Sequence, residues 1–415
     1  MSTATKSASI AGASAPAGDS APTRVASIDI FRGLTMVVMI FVNDLASVHG
    51  LPWWTYHAPG KVDVMTYVDM VYPLFLFIVG ISVPLALERR LKKNPSIISL
   101  WIHILQRSFS LLVLGLILAN AEKGNAALMG ISGNVWAIFG LLGGVLFLAV
   151  YTGKNVSPRL LRFLRVLGLV MLIAMFAIFR RTTHDGRVAW IDGSYPEILG
   201  LIAYTYLAVC ILYVPTRRWR WAPFISFVAL IALCALSTAK YIAFTRHAPL
   251  YFWPFGNGAM PSITMAGVIT SQIFLGSEQQ SSLRQKFSLA AAFAFAAFIV
   301  GFLLTPLGIS KIRATPTWSL YCIGAGVLIF AALYWVCDIK KHTAWAFFAR
   351  PAGANTLLTY LLPDCYYFFT AALGLTFFET HFNHGWPGLI RAVVFTMCIL
   401  AAASLLMRWK IKMQL

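Results

Sequence analysis

Apolar runs of about 20 residues recur from residue 30 to residue 407, and they limit the folds open to this chain more than any other feature. A run of that length crosses the ~30 Å hydrocarbon core of a bilayer as an α-helix. Lipid accepts only segments that satisfy their backbone hydrogen bonds internally, which leaves helices and closed barrels. The runs are continuous and lack period-two alternation, so helices are expected and a membrane β-barrel is not. Composition agrees: the chain is 59% hydrophobic and 11% charged, with a mean hydropathy of +0.76, where soluble domains carry about 25% charged residues. The expected fold class is all-α, a polytopic integral membrane protein; soluble, fibrous and disulfide-scaffold classes are excluded.

About twelve spans are expected, with ten as the lower bound. They lie near 30–48, 67–87, 100–120, 134–152, 162–179, 196–214, 221–243, 262–277, 287–307, 318–337, 353–372 and 388–407. The hairpin 134–179 and the span after Arg350 are the least typical, and Pro363 suggests a broken helix lining a cavity. Residues 1–23 form an Ala/Ser-rich stretch without the apolar core of a signal peptide, and they are expected to be a disordered cytoplasmic tail. One transmembrane domain, 24–415, remains.

The net charge of +19 raises the question of a nucleic-acid partner, and the placement of the charges answers it. With the N-terminus cytoplasmic, 21 Lys and Arg fall on the cytoplasmic side, among them Arg89, Arg90, Lys92, Lys93 and the tail Arg408, Lys410 and Lys412. Only 8 fall on the other: Lys61, Lys123, Arg180, Arg181, Arg187, Arg246, Lys311 and Arg313. The split follows the positive-inside rule, so both termini are expected to be cytoplasmic and nucleic acid is not an expected partner. The six cysteines show no C-x-x-C spacing and are read as small core residues; no metal is expected.

Ionisable groups inside the hydrocarbon are costly and therefore candidates for function. They concentrate in the first hairpin: Asp29 and Arg32 at the start of the first span, Asn43 and Asp44 at its end, His57 in the following loop, Asp69 and Pro73 opening the return helix. Each has a structural alternative. Asp29 and Arg32 are three apart and can pair on one helix face. Asn43 and Asp44 can cap a helix end, and Asp69 can serve a helix start. His57, beside Trp53, Trp54 and Tyr56, can belong to an interfacial belt, and Arg107 and Arg391 can snorkel. Glu197, Lys311 with Arg313, and Asn355 complete the polar inventory. No P-loop, GxSxG, HExxH or strand-borne GxGxxG occurs, which removes the ATPase, serine hydrolase, zincin and dinucleotide-binding classes.

The run Ser27-Ile28-Asp29-Ile30-Phe31-Arg32-Gly33, then Phe41-Val42-Asn43, then His57, then Thr66 to Pro73 leading into Phe75 to Gly80, resembles the transmembrane acyltransferase family of heparan-α-glucosaminide N-acetyltransferase. Fainter likenesses continue through Gln106-Arg107, Ile198-Leu199-Gly200, Ile309-Ser310-Lys311 and Asn355-Thr356-Leu357. Within that family the chain looks most like a bacterial branch named for N-acetylglucosamine-related membrane proteins and transporters. The resemblance implies acetyl transfer from cytosolic acetyl-CoA, as donor substrate, to the amine of glucosamine across a bacterial inner membrane. It places the family's active-site histidine on His57, the preceding asparagine on Asn43 and the following aspartate on Asp69. Two departures stand out. The long luminal N-terminal domain of the lysosomal enzyme has no counterpart here, which suggests a smaller acceptor or none of the lysosomal processing. The Gln-Arg pair of its LQRLG helix is replaced by Gly200-Leu201, which puts any role of that pair in doubt here. The family core has ten helices, so two of the twelve spans, at 134–179, are an expected insertion.

The chemistry suits these assignments. N-acetylation needs an uncharged amine, and a histidine that is mostly neutral at pH 7 can take its proton. Asn43 can donate to the oxyanion on the thioester carbonyl, and Asp69 can orient the imidazole. Arg32, Arg89, Arg90 and Arg107 are the expected donor-phosphate contacts. Trp54, Glu197, Lys311 and Asn355 are the expected acceptor contacts, and a homodimer is a further partner expectation. Two other readings stay open: a transporter of N-acetylglucosamine or a related sugar, and an O-acetyltransferase of an envelope glycan.

Overall fold

The computed structural model describes residues 25–148, 157–242, 253–276 and 282–408. The expected tail 1–23 lies outside the described residues, as do Arg24, Lys154, Arg246, Lys410 and Lys412 of the charge map. Among the described residues twelve long helices follow one another: α1 (Ala26–Leu45), α2 (Val68–Lys93), α3 (Ile97–Asn120), α4 (Gly133–Leu148), α5 (Pro158–Ile178), α6 (Glu197–Thr216), α7 (Ala222–Thr238), α8 (Ala259–Leu275), α9 (Leu283–Leu303), α10 (Pro316–Leu333), α11 (Thr356–Ala372) and α12 (Gly385–Arg408). Among these described helices, eight are long and apolar enough to cross a membrane, and α4, α7 and α8 are shorter apolar helices. The remaining one, α11, carries Pro363 and Asp364 in its interior. The protein is an all-α, multi-pass membrane protein.

Contacts between loops show how the helices alternate. The loop after α1 meets the loop after α9, where Lys311 approaches His57 and Asp63 accepts from the Ile309 N–H at 3.1 Å. It also meets the loop after α11, where His49 N–H donates to Asn383 O at 2.7 Å. Lys123, after α3, pairs with Asp192, after α5, at 2.8 Å. Asn257, after α7, donates to Ala314 O at 2.8 Å. Among the described residues, the segments that follow the odd-numbered helices are thus gathered at one end of the bundle, here the His57 end, where Asn43 of α1 and Lys123 border a common space. The opposite end carries Arg89 and is called the Arg89 end. There Asp338 accepts from the Ala26 and Ser27 N–H groups at 2.8 and 3.0 Å, capping α1 from a remote segment.

The core is packed backbone against backbone. A Cβ on Gly80 would stand 1.9 Å from Thr264 O, and one on Gly267 would stand 2.1 Å from Phe77 O, so α2 and α8 touch directly. Ser262 to Ser271 of α8 are almost all buried, whereas α5 and α9 lie at the periphery with largely exposed side chains. Burial of the cysteines is mixed: Cys210, Cys234, Cys322 and Cys337 are buried, but Cys365 and Cys398 are exposed, contrary to a core reading for all six.

The expected span 353–372 is divided, though not at Pro363. The α-helix runs through Pro363, and the break falls at Asn355, whose φ of −134° and ψ of 57° separate α11 from a short helix, Arg350–Ala354. The cause lies in packing. A Cβ on Gly353 would lie 2.2 Å from Asp29 O, so the short helix rests against the backbone of α1 and leaves the axis of α11.

Candidate active site

The loop after α1 is folded on itself before it presents His57. Tyr56 Oη donates to Val48 O at 2.7 Å and accepts the Leu51 N–H at 3.1 Å, while Thr66 Oγ1 donates to Tyr56 O at 2.8 Å. Asp69, in the first turn of α2, is fully buried. Its Oδ1 lies 2.7 Å from His57 Nδ1, and its Oδ2 accepts the Thr66 N–H at 3.0 Å and the Ala58 N–H at 3.2 Å. A carboxylate so placed assigns the ring proton to Nδ1 and leaves Nε2 as the acceptor. Trp318 of α10 holds the turn below by donating to Asp69 O at 3.1 Å.

Lys311 stands on the open side of the imidazole, with Nζ 3.2 Å from His57 Nε2. Burial pulls the Lys311 ammonium below its ordinary pKa, against the opposing pull of the Asp69 and Glu197 carboxylates. Its loop is fixed to the His57 loop by Asp63, which is ion-paired with Arg313. That hydrogen bond, with the Ile309 N–H, holds the Asp63 carboxyl below the usual range. Glu197, the first residue of α6, takes a φ of 58°, a left-handed conformation uncommon outside glycine. Such conformations persist where the surroundings over-determine them and gather at functional sites. Glu197 accepts from Tyr360 Oη of α11 at 3.2 Å.

Two cavities follow α1 through the bundle. The first, about 660 Å³, is lined by Arg32, Arg89 and Arg107 near its Arg89 end and by Met36, Met39, Phe75, Leu111 and Tyr360 further in. It is walled by α1 from Val25 to Met39 and by α2 from Phe75 to Arg89, in each case about 21 Å of helical rise. The second, about 240 Å³, opens on the His57 side and is lined by Asn43, Glu122, Lys123, Glu197, Tyr360, Asp364 and Tyr367 among others. Met39 and Tyr360 border both. From Val25 to Asn43 the two cavities accompany about 27 Å of α1, close to the ~30 Å of a hydrocarbon core.

The sequence candidates therefore fall into groups. His57, Asp69 and Lys311 are brought together, and Lys311 lies within electrostatic reach of Glu197 of the second cavity. Asn43 is exposed in that cavity, which His57 does not line. Arg32, Arg89 and Arg107 share the first cavity, while Arg90 is exposed and lines neither. Arg32 also donates to Ser82 Oγ at 3.0 Å and pairs with Asp29 at 3.5 Å, and Arg107 lies over the Tyr206 ring at 5.0 Å. Trp54 is exposed and tilted against Tyr67, with ring centroids 6.2 Å apart. Asn355 is buried at the helix break and lines neither cavity, although Ala354 and Thr356 on either side of it line the first.

Several polar contacts escaped the sequence reading. Asp44 does not merely close α1: it accepts from Tyr367 Oη at 2.5 Å and pairs with Arg391 at 3.4 Å. Arg391 does not snorkel; its side chain is 11% exposed and turned inward, because a carboxylate awaits it between the helices. Tyr360 was also missed, although a signal was present. Tyr360, Pro363, Asp364 and Tyr367 follow an i, i+3, i+4, i+7 spacing that puts a polar stripe on one face of α11.

A multi-pass helical membrane protein with stacked cavities and a buried carboxylate paired with an exposed histidine is the class these features define. The chain belongs to the family described as domain of unknown function DUF5009, which matches residues 24–255, from α1 through α7. It is also similar to heparan-alpha-glucosaminide N-acetyltransferase of Homo sapiens, 36% identical over 99 residues, covering 24% of this chain and 14% of that protein. The Mus musculus protein of the same name is 36% identical over 101 residues, 24% of this chain and 15% of the relative. The matched stretch is a small part of either relative. These matches bear out the family resemblance read from the sequence motifs.

Proposed function

We propose that the protein is a membrane acetyltransferase that moves acetyl from cytosolic acetyl-CoA, entering at the Arg89 end, to the amine of glucosamine or a glucosamine-containing sugar at the His57 end. The observation that carries this reading is the pair of cavities meeting at Met39 and Tyr360, with guanidinium groups at one end and the Asp69–His57–Lys311 group beyond the other. Arg32, Arg89 and Arg107 are suited to the donor phosphates, and the apolar wall from Phe75 to Leu111 suits an extended pantetheine arm. The acceptor nitrogen, freed of one proton by His57 Nε2, attacks the thioester carbonyl; the C–N bond forms, the C–S bond breaks, and the CoA sulfur leaves with a second proton from the nitrogen. Asn43 is the side-chain donor for the intervening oxyanion, and Asp69 keeps the acceptor lone pair on Nε2. The basic loops, which fall at the Arg89 end, support an inner-membrane orientation with both termini cytoplasmic.

The test is purified protein in detergent with labelled acetyl-CoA and glucosamine. Labelled N-acetylglucosamine is the expected product, formed without any vesicle. No transfer, together with movement of unmodified sugar into proteoliposomes, would replace this reading with the transporter.

A further inference from the structure

The second cavity contains a carboxylate that the rest of the molecule does not use. Lys123 lines it but is occupied by Asp192. Glu197 has the Tyr360 hydroxyl and the influence of Lys311. Glu122 lines the same cavity at the end of α3. Asp364, on α11 four residues beyond Tyr360 and on the same face, has neither hydrogen bond nor ion pair among the described residues, and it lies within electrostatic reach of Glu197. A carboxylate at membrane depth persists where it lines a polar cavity or meets a cation. Two carboxylates facing one space repel each other, and a cation between them removes that repulsion.

We infer that Asp364 and Glu197 form the subsite for the acceptor's ammonium group, and that this pair selects a cationic amino sugar over a neutral sugar. The inference rests on the acetyltransferase reading and adds its specificity determinant. It separates two events in space. The amine is captured as an ammonium between carboxylates; to react, it gives up one proton to His57 Nε2, its freed lone pair attacks the thioester carbonyl, and the second nitrogen proton leaves with the CoA sulfur as the C–S bond breaks. The strained Glu197 backbone fixes one member of the pair at the start of α6, and the Tyr360 hydroxyl orients its carboxylate. Glu122 remains along the wall for sugar hydroxyls.

The subsite predicts a KM effect without a matching kcat effect. In the full-length protein, Asp364→Asn should raise the KM for glucosamine by about tenfold or more while kcat changes by less than about threefold, as loss of one charge-assisted contact requires. Asp364→Glu should recover most of the affinity. A measurement on the unaltered protein guards against a variant that does not fold: glucosamine should protect it from thermal unfolding at concentrations about tenfold below those needed for glucose. Equal protection by the two sugars overturns the inference, as does an unchanged KM in both Asp364→Asn and Glu197→Gln. Stabilisation by sodium chloride over choline chloride that vanishes in Asp364→Asn would show an inorganic cation in the subsite and also overturn it. Failure of the unaltered protein to acetylate glucosamine at all is a different result and defeats the acetyltransferase reading itself.

Discussion

His57 draws its orientation from three separate elements: the folded loop that carries it, Asp69 of α2, and Lys311 from the loop after α9. Because the ring is partly exposed and its backbone is held by Tyr56 and Thr66, its removal should affect chemistry more than folding. His57→Ala and His57→Asn are expected to lower acetyl transfer by roughly 10²- to 10⁴-fold, the usual share of a general base, with little change in thermal stability. Initial rates decide this; a variant keeping more than a tenth of the normal turnover would remove His57 from the mechanism. Lys311 offers a pH test. Burial lowers its folded pKa below the unfolded value of about 10.4, so between the two the unfolded chain binds the extra proton. Stability therefore rises with pH through that window. Thermal melts should show the unaltered protein gaining on Lys311→Met as the buffer moves from pH 8 towards 10; a constant difference would mean that Lys311 does not titrate as its burial implies.

At the scale of elements, the decisive contact is between α2 and α8. Gly80 and Gly267 allow two backbones to meet, and α2 can then bring Asp69 to one end of the bundle and Arg89 to the other. Gly80→Val would place carbon where Thr264 O now lies and would force the helices apart. We expect a destabilisation of about 1–3 kcal/mol, typical of overpacking in a tight core, read as a lower melting temperature in detergent together with a fall in transfer rate. Unaltered melting would show that α2 and α8 do not touch in this way. The break at Asn355 belongs to the same scale. It follows from the pressure of α1 on Gly353, and it leaves Tyr360, Asp364 and Tyr367 on a helix of their own, free to face the cavities.

For the whole molecule, the proposed transfer requires that the two ends face different compartments. A cysteine replacing Lys61, near His57, should react with a membrane-impermeant thiol reagent in intact cells, and one replacing Lys92, near Arg89, should not. The reverse pattern would put His57 on the side of the acetyl-CoA pool and end the trans-membrane mechanism. The donor end supplies a second test. If Arg89 and Arg107 hold phosphates, acetyl-CoA should bind more tightly than acetyl-pantetheine and lose more of its affinity in added salt, since solvated charge contacts are screened. Arg89→Gln and Arg107→Gln should narrow the gap between the donors. Equal binding of both donors would leave these arginines as orientation signals only.

Much of this was open to reading one segment at a time. Whether a stretch enters a bilayer depends on its own length and apolarity and on satisfying its own backbone, so the twelve helices and the helical fold class could be taken from local runs. The first hairpin was legible for the same reason: Asn43, His57 and Asp69 stand out because each is polar against its immediate neighbours. Contacts between remote segments left no such mark. Lys311 reaches His57 across 254 residues, Arg391 reaches Asp44 across 347, and Asp338 caps α1 across 312. Nothing in the composition of either partner names the other. In lipid, apolar faces have little preference among neighbours, so close backbone packing and paired polar groups choose them. That choice, made only in the assembled bundle, turned an apparent snorkelling arginine inward, moved the helix break from Pro363 to Asn355 and opened the cavities along α1.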